Sequence, residues 1–151
     1  MNWKGHRYIG LVCRLFIGGV FLGACLFKIK DPDVFALSIA TYEILPTALI
    51  NLMAIILPWL ELAVGILIII GYKTKASALL IAAMMLMFMT ALAIALFRGI
   101  DMSCGCFASS DAGEQISWLT MGRDLFFLLP AVHVLLFDNN PIGVDGLKRR
   151  R

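Results

Sequence analysis

Four long apolar blocks dominate the chain. They run from Tyr8 to about Phe27, from about Thr47 to Gly71, from Ala76 to Phe97 and from Ile116 to Phe137. Each is near the ~20 residues that a helix rising ~1.5 Å per residue needs to cross ~30 Å of hydrocarbon. A backbone in lipid has no water to bond, so each block must satisfy its own N–H and C=O groups, which a helix does. The stretch between the first two blocks reads differently. Asp31-Pro32-Asp33 resembles a helix start with Pro in the first turn. Phe35, Ile39, Tyr42 and Leu45 then recur at helical spacing, which predicts a short amphipathic helix lying at the membrane interface. The expected architecture is all-α: an integral membrane four-helix bundle, one transmembrane domain over residues 1–151, with that interfacial helix between the first two spans.

Composition agrees with the blocks. Of 151 residues, 61% are hydrophobic and 15% charged, whereas a soluble domain is near half apolar and a quarter charged. The net charge of +3 is modest and the basic residues sit at span ends, so they read as topology signals and not as a nucleic-acid footprint. Leu22-Gly23-Ala24-Cys25 looks like a lipoprotein cleavage box. Arg14 inside the preceding apolar stretch, and a remainder that itself spans the membrane, argue against cleavage.

Counting bases orients the bundle. Lys4, Arg7, Lys73, Lys75, Lys148, Arg149, Arg150 and Arg151 all fall on one side of a four-span chain, while Lys28, Lys30 and Arg98 fall on the other. The positive-inside rule then predicts a multi-pass protein of the inner or plasma membrane with both termini cytoplasmic. The loop after the third span faces outward, into an oxidising compartment if the membrane is of bacterial type.

That loop carries the most loaded chemistry. Cys104 and Cys106 flank Gly105 in a polar connection. A disulfide across one intervening residue closes a small ring, and Cα atoms about 5.5 Å apart are reached there only with strain. Gly105 relieves part of it through its permissive backbone. A strained, exposed disulfide suits exchange. A permanent structural disulfide and half of a metal site remain as alternatives. The latter wants further His or Cys ligands, and His6 and His133 are expected near the opposite face, so no metal site is assigned. Cys25 lies near the outer end of the first span and is a candidate third thiol, although a buried thiol packing as a small apolar residue is the simpler reading. Cys13, some 18 Å deeper along the helix, reads as packing.

Ionisable groups inside spans cost several kcal/mol unless paired or wet, so each marks a functional hypothesis. Arg14 lies within the first span, Glu61 near the middle of the second, and Arg123 and Asp124 about two turns into the fourth. Comparable depth predicts an Arg14–Glu61 pair, with Arg123 and Asp124 meeting Lys28 beneath the cysteine loop. These pairs have a purely structural reading too, as glue between helices. Gly19 and Gly23 form a GxxxG step that predicts a close helix contact. Met84, Met85, Met87 and Met89 point all round one helix, which favours packing over metal binding.

Several of these pieces fall in a familiar order. Arg14-Leu15-Phe16-Ile17-Gly18-Gly19-Val20-Phe21-Leu22-Gly23, followed by Lys28-Ile29-Lys30-Asp31-Pro32-Asp33-Val34-Phe35-Ala36, resembles the opening of the MauE (methylamine utilisation) and DoxX-like membrane protein families. Tyr42-Glu43-Ile44-Leu45-Pro46, Leu57-Pro58-Trp59-Leu60-Glu61-Leu62-Ala63-Val64-Gly65, Arg98-Gly99-Ile100-Asp101, Trp118 and Arg123-Asp124-Leu125 continue it, and Cys104-Gly105-Cys106-Phe107 tilts it toward MauE. Ala108 departs from the Gly that often follows that Phe. The resemblance implies a four-helix membrane bundle engaged in thiol redox work. MauE is linked to maturation of a disulfide-rich periplasmic methylamine dehydrogenase, alongside a thioredoxin-like partner. Cys104 and Cys106 carry over as the redox pair.

The leading expectation is therefore a thiol–disulfide relay, exchanging with an extracytoplasmic thioredoxin-like protein. Positive charge from Arg98, Lys28 or Arg123 would favour the reactive thiolate. By analogy with other four-helix thiol oxidases, electrons would pass to a quinone held between the helices, although no residue pattern in the chain specifies one. The competing expectations are a non-enzymatic membrane anchor or assembly subunit with a structural disulfide, and a small-solute carrier built on Arg14 and Glu61.

Overall fold

The computed structural model describes residues 4–44, 46–99, 118–138 and 143–144. Five helices account for nearly all of them: α1 Lys4–Lys30, α2 Pro32–Thr41, α3 Thr47–Ile70, α4 Thr74–Phe97 and α5 Trp118–Phe137. Four are long and apolar enough to cross a membrane. The protein is an all-α, multi-pass membrane bundle. Its long helices alternate in direction, so the start of α1, the α3–α4 turn and the end of α5 share one end. The ends of α1 and α4, all of α2 and the starts of α3 and α5 share the other. Phe97 and Trp118 meet edge to face at that second end, with ring centroids 6.3 Å apart.

Many large apolar residues point outward, among them Val12, Ile55, Trp59, Leu86, Phe126 and Leu129. In water this surface would be unstable; in lipid it is the solvated face. The interior is a line of closely packed side chains in which Ile17, Ile68, Ala78, Ile81, Ala131 and Val134 have no exposed surface.

The most extensive helix contact is between α1 and α3, where Gly18 faces Gly65. A Cβ on Gly18 would stand 3.1 Å from the Gly65 carbonyl and 2.5 Å from Ile69. Small residues let backbones approach where lipid offers no hydrophobic drive to association. The expected Gly19–Gly23 step is not this contact: a Cβ at either meets no described atom within 4 Å. On α1 the close residue is Gly18, followed four positions on by Leu22 and not by a small residue, so the crossing uses no GxxxG step.

Two expectations about local structure need adjusting. Helix α1 extends past Phe27 to Lys30, so Lys28 is helical. Helix α2 begins at Pro32 with Asp31 as its N-cap and turns Phe35 into the bundle, with Ile39 partly buried behind it. Tyr42, just beyond its end, packs beside Ala95 of α4. Its outward face is not polar throughout, because Val34 and Leu37 are exposed there. It is a short apolar helix held mainly against α3.

Candidate functional site

The Gly18–Gly65 crossing fixes which residues of α1 and α3 stand level. Counting outward from it, Arg14 stands opposite Ile69 and Glu61 opposite Leu22. Every helical Cα–Cβ bond leans toward its own N-terminus. In this antiparallel pair, Arg14 therefore leans toward the C-terminal end of α3, and Glu61 leans the other way, toward the end of α1. The expected Arg14–Glu61 pair does not form, because the two side chains start about eight residues (~12 Å) apart along the axis and diverge.

Arg14 instead closes the C-terminal end of α3. Its Nε donates to the Ile68 carbonyl at 2.8 Å and its Nη2 to the Ile69 carbonyl at 3.1 Å. The Asp138 carboxylate, just past α5, lies 3.8 Å from Nη1, and both side chains are almost wholly buried. The last carbonyls of a helix lack intrahelical donors and carry the negative end of its dipole, so a cation is well placed there. Gly71 caps α3 with φ +76, its N–H returning to Leu67 O at 3.0 Å. A side chain at Gly71 would run into the Arg14 guanidinium. Sequence reading missed Asp138 because it lies one residue beyond the apolar block. The available signal was an acid at the same bundle end as Arg14.

The second polar group lies at the opposite end. Lys28 stands about six residues, ~9 Å, beyond the level of Glu61. Its side chain leans back toward Glu61, while Glu61 leans forward. They meet with Lys28 Nζ donating to Glu61 Oε1 at 2.6 Å, their side chains only 7% and 8% exposed. The ammonium also sits 4.9 Å from the centre of the Phe35 ring, so α2 completes its surroundings. The other carboxylate oxygen, Oε2, is buried and has no hydrogen-bond partner among the described residues. On α5, Arg123 Nε lies 3.5 Å from Asp124 Oδ1, and Asp124 is buried.

Lys28, Glu61 and Asp124 share one cavity of about 450 Å³. All five helices line it. Phe21, Phe35, Tyr42, Phe88 and Phe127 supply rings, and Met53, Met84, Met85 and Met87 supply flexible thioethers. Part of the methionine run thus faces this space, and Met87 is also 46% exposed at the surface. The expected meeting of Lys28 with the fourth span holds only in that Lys28 and Asp124 border the same cavity. The direct partner of Lys28 is Glu61.

Cys104, Gly105 and Cys106 lie outside the described residues. The chain leaves α4 at Gly99 and re-enters at Trp118, so their segment is tethered to the cavity end of the bundle. Cys25 has no exposed surface, and its thiol donates to the Leu22 carbonyl at 3.1 Å. Cys13 is partly buried, and both thiols are free. Among the described residues no group of three or more His, Cys, Asp or Glu side chains is arranged to hold a metal ion.

Residues 6–137 match the family model of the methylamine utilisation protein MauE. The chain belongs to the MauE family. Three relatives, each described as methylamine utilization protein MauE, give the scale of the likeness. That of Paracoccus denitrificans is 31% identical over 134 residues, covering 88% of this chain and 70% of the relative. That of Methylophilus methylotrophus is 31% identical over 140 residues, covering 92% and 72%. That of Methylorubrum extorquens is 29% identical over 119 residues, covering 78% and 63%. No solved structure matches the chain. The MauE match takes in α1 to α5, and so includes Arg14, Lys28, Glu61, Asp124 and both loop cysteines.

Proposed function

We propose that this MauE-family protein is a membrane thiol–disulfide exchange protein that supports maturation of an extracytoplasmic partner. The observation that carries the reading is the Cys104-Gly105-Cys106 pair, on a segment tethered to the bundle end where a buried cation and two carboxylates border a cavity between the helices. Two thiols one residue apart form a strained ring when joined, and strained, exposed disulfides exchange readily. The excess of Lys and Arg near the termini and the α3–α4 turn supports an orientation with both termini cytoplasmic and the cysteine segment outside. There the pair meets oxidising conditions and a thioredoxin-like partner. The setting inferred from the relatives' names is methylamine utilisation.

The test is trapping. Cys106→Ser leaves Cys104 to form a mixed disulfide that cannot resolve, and a thioredoxin-like extracytoplasmic protein is the expected captive. No captive, together with intact partner maturation in Cys104→Ser, overturns the proposal. Labelling of intact cells with an impermeant thiol reagent after reduction should reach both loop cysteines; their protection would reverse the orientation.

A further inference from the structure

We propose that the five-helix cavity is a quinone site, in which Lys28 holds a ring carbonyl and Glu61 handles the proton that accompanies reduction. The proposal rests on the thiol–disulfide reading for its electron donor. The size, walls and polar pair of the cavity do not depend on the cysteines.

Size and surface come first. A space of about 450 Å³ falls in the ~300–1,000 Å³ range of pockets that enclose small organic ligands. Its walls are aromatic rings, thioethers and aliphatic side chains, and it lies inside a membrane bundle. Its occupant must therefore be soluble in lipid and suit flat, polarizable walls.

Polarity comes second. Ser38, Tyr42, Thr90 and Asp124 also border the space, but Lys28 and Glu61 form a contacting pair with unused hydrogen-bonding capacity. An ammonium carries three donors, of which Lys28 gives one to Glu61 Oε1. Glu61 is 6% exposed, and its Oε2 is buried without a hydrogen-bond partner among the described residues. An acceptor oxygen and a potential hydroxyl on one ligand would satisfy both groups. A ring carbonyl accepts from Lys28; once reduced to a hydroxyl, it donates to Glu61. A fully apolar molecule, such as an acyl chain, would leave buried polar capacity unmet, at a cost of about 1–3 kcal/mol.

Place comes third. Ile94 lines the cavity one turn before the end of α4, and Cys104 follows it by ten residues along the chain. The redox step balances as follows. Two S–H bonds of Cys104 and Cys106 break, and one S–S bond and two O–H bonds form. The dithiol loses two electrons and two protons, and the quinone ring gains both to become a quinol.

The test uses the full chain purified in detergent micelles, with decylubiquinone as the probe. Photolabelling by an azido-substituted short-chain ubiquinone should mark the α4 stretch from Met84 to Ala91 and be suppressed by excess decylubiquinone. Ala91→Phe, which fills the cavity, and Glu61→Gln, which keeps its shape, should each weaken decylubiquinone binding at least about ten-fold. Circular dichroism would confirm that both variants stay folded. Binding unchanged in both folded variants, or labelling displaced by phospholipid but not by decylubiquinone, overturns the site. Quinone binding with no partner trapped through Cys104 would sink the relay and leave the site standing; trapping without quinone binding would do the reverse.

Discussion

Replacing Lys28 with methionine keeps most of its stem and removes its charge, leaving the Glu61 carboxylate buried. The contact is 2.6 Å long between side chains 7% and 8% exposed. At an effective dielectric of ~20, two unit charges at that separation attract by about 6 kcal/mol. Desolvation of the two ions, at several kcal/mol each, offsets most of that. The net worth of the pair is thus small, while the cost of stranding either member is large. Lys28→Met and Glu61→Leu should each destabilise the bundle by about 3–5 kcal/mol, and the double variant should lie within ~2 kcal/mol of the parent. The measurement is a double-mutant cycle on purified protein in micelles, unfolded with SDS and followed by helical circular dichroism. Interhelical hydrogen bonds in membranes average only ~0.6 kcal/mol by such cycles. A coupling above about 2 kcal/mol therefore identifies an ionic pair deprived of solvent, whereas additive single effects would refute the reasoning.

Two further substitutions probe the frame that holds this pair. Gly18→Ala places a methyl 2.5 Å from Ile69 and 3.1 Å from the Gly65 carbonyl, and should cost about 1–3 kcal/mol in the same unfolding assay. Gly19→Ala meets no described atom within 4 Å and should be neutral or slightly stabilising; equal effects at the two sites would show that the crossing is not where we place it. Gly71→Ala forces a side chain into a left-handed cap and against the Arg14 guanidinium. It should lower the thermal midpoint through a loss of at least ~1 kcal/mol, and an unchanged midpoint would count against Arg14 as the closure of α3.

The membrane helices were legible because each is a predominantly apolar block of the right length, a signal that needs no tertiary knowledge. Which charges would meet was not legible from depth alone. Arg14 and Glu61 are both intramembrane ions on neighbouring antiparallel helices, yet the lean of helical side chains sends them to different ends of the bundle. Choosing correctly required the Gly18–Gly65 register, and a small-residue spacing does not say which of two adjacent glycines faces the neighbour. The inward face of α2 was readable from Phe35, Ile39 and Tyr42. Its outward Val34 and Leu37 broke the amphipathic pattern without obscuring the helix. The cavity had no sequence signature at all, since its lining is drawn from all five helices at irregular spacing.

The tight crossing of α1 on α3 also bears on how the protein is made. Those two helices are separated in the chain only by the short α2 and its turns, so they can lock together as soon as α3 leaves the translocation machinery. The partners of Arg14 at Ile68 and Ile69 are then made some seventy residues before its third, Asp138. Helices α4 and α5 follow as a second contacting pair, and only they complete the wall of the cavity. Chain order thus puts the α1–α3 half of the wall ahead of the α4–α5 half during synthesis. A hydrophobic guest could therefore meet the first half of the wall before the second half is made, and the finished cavity still reaches the bundle surface at Ile44 and Met87.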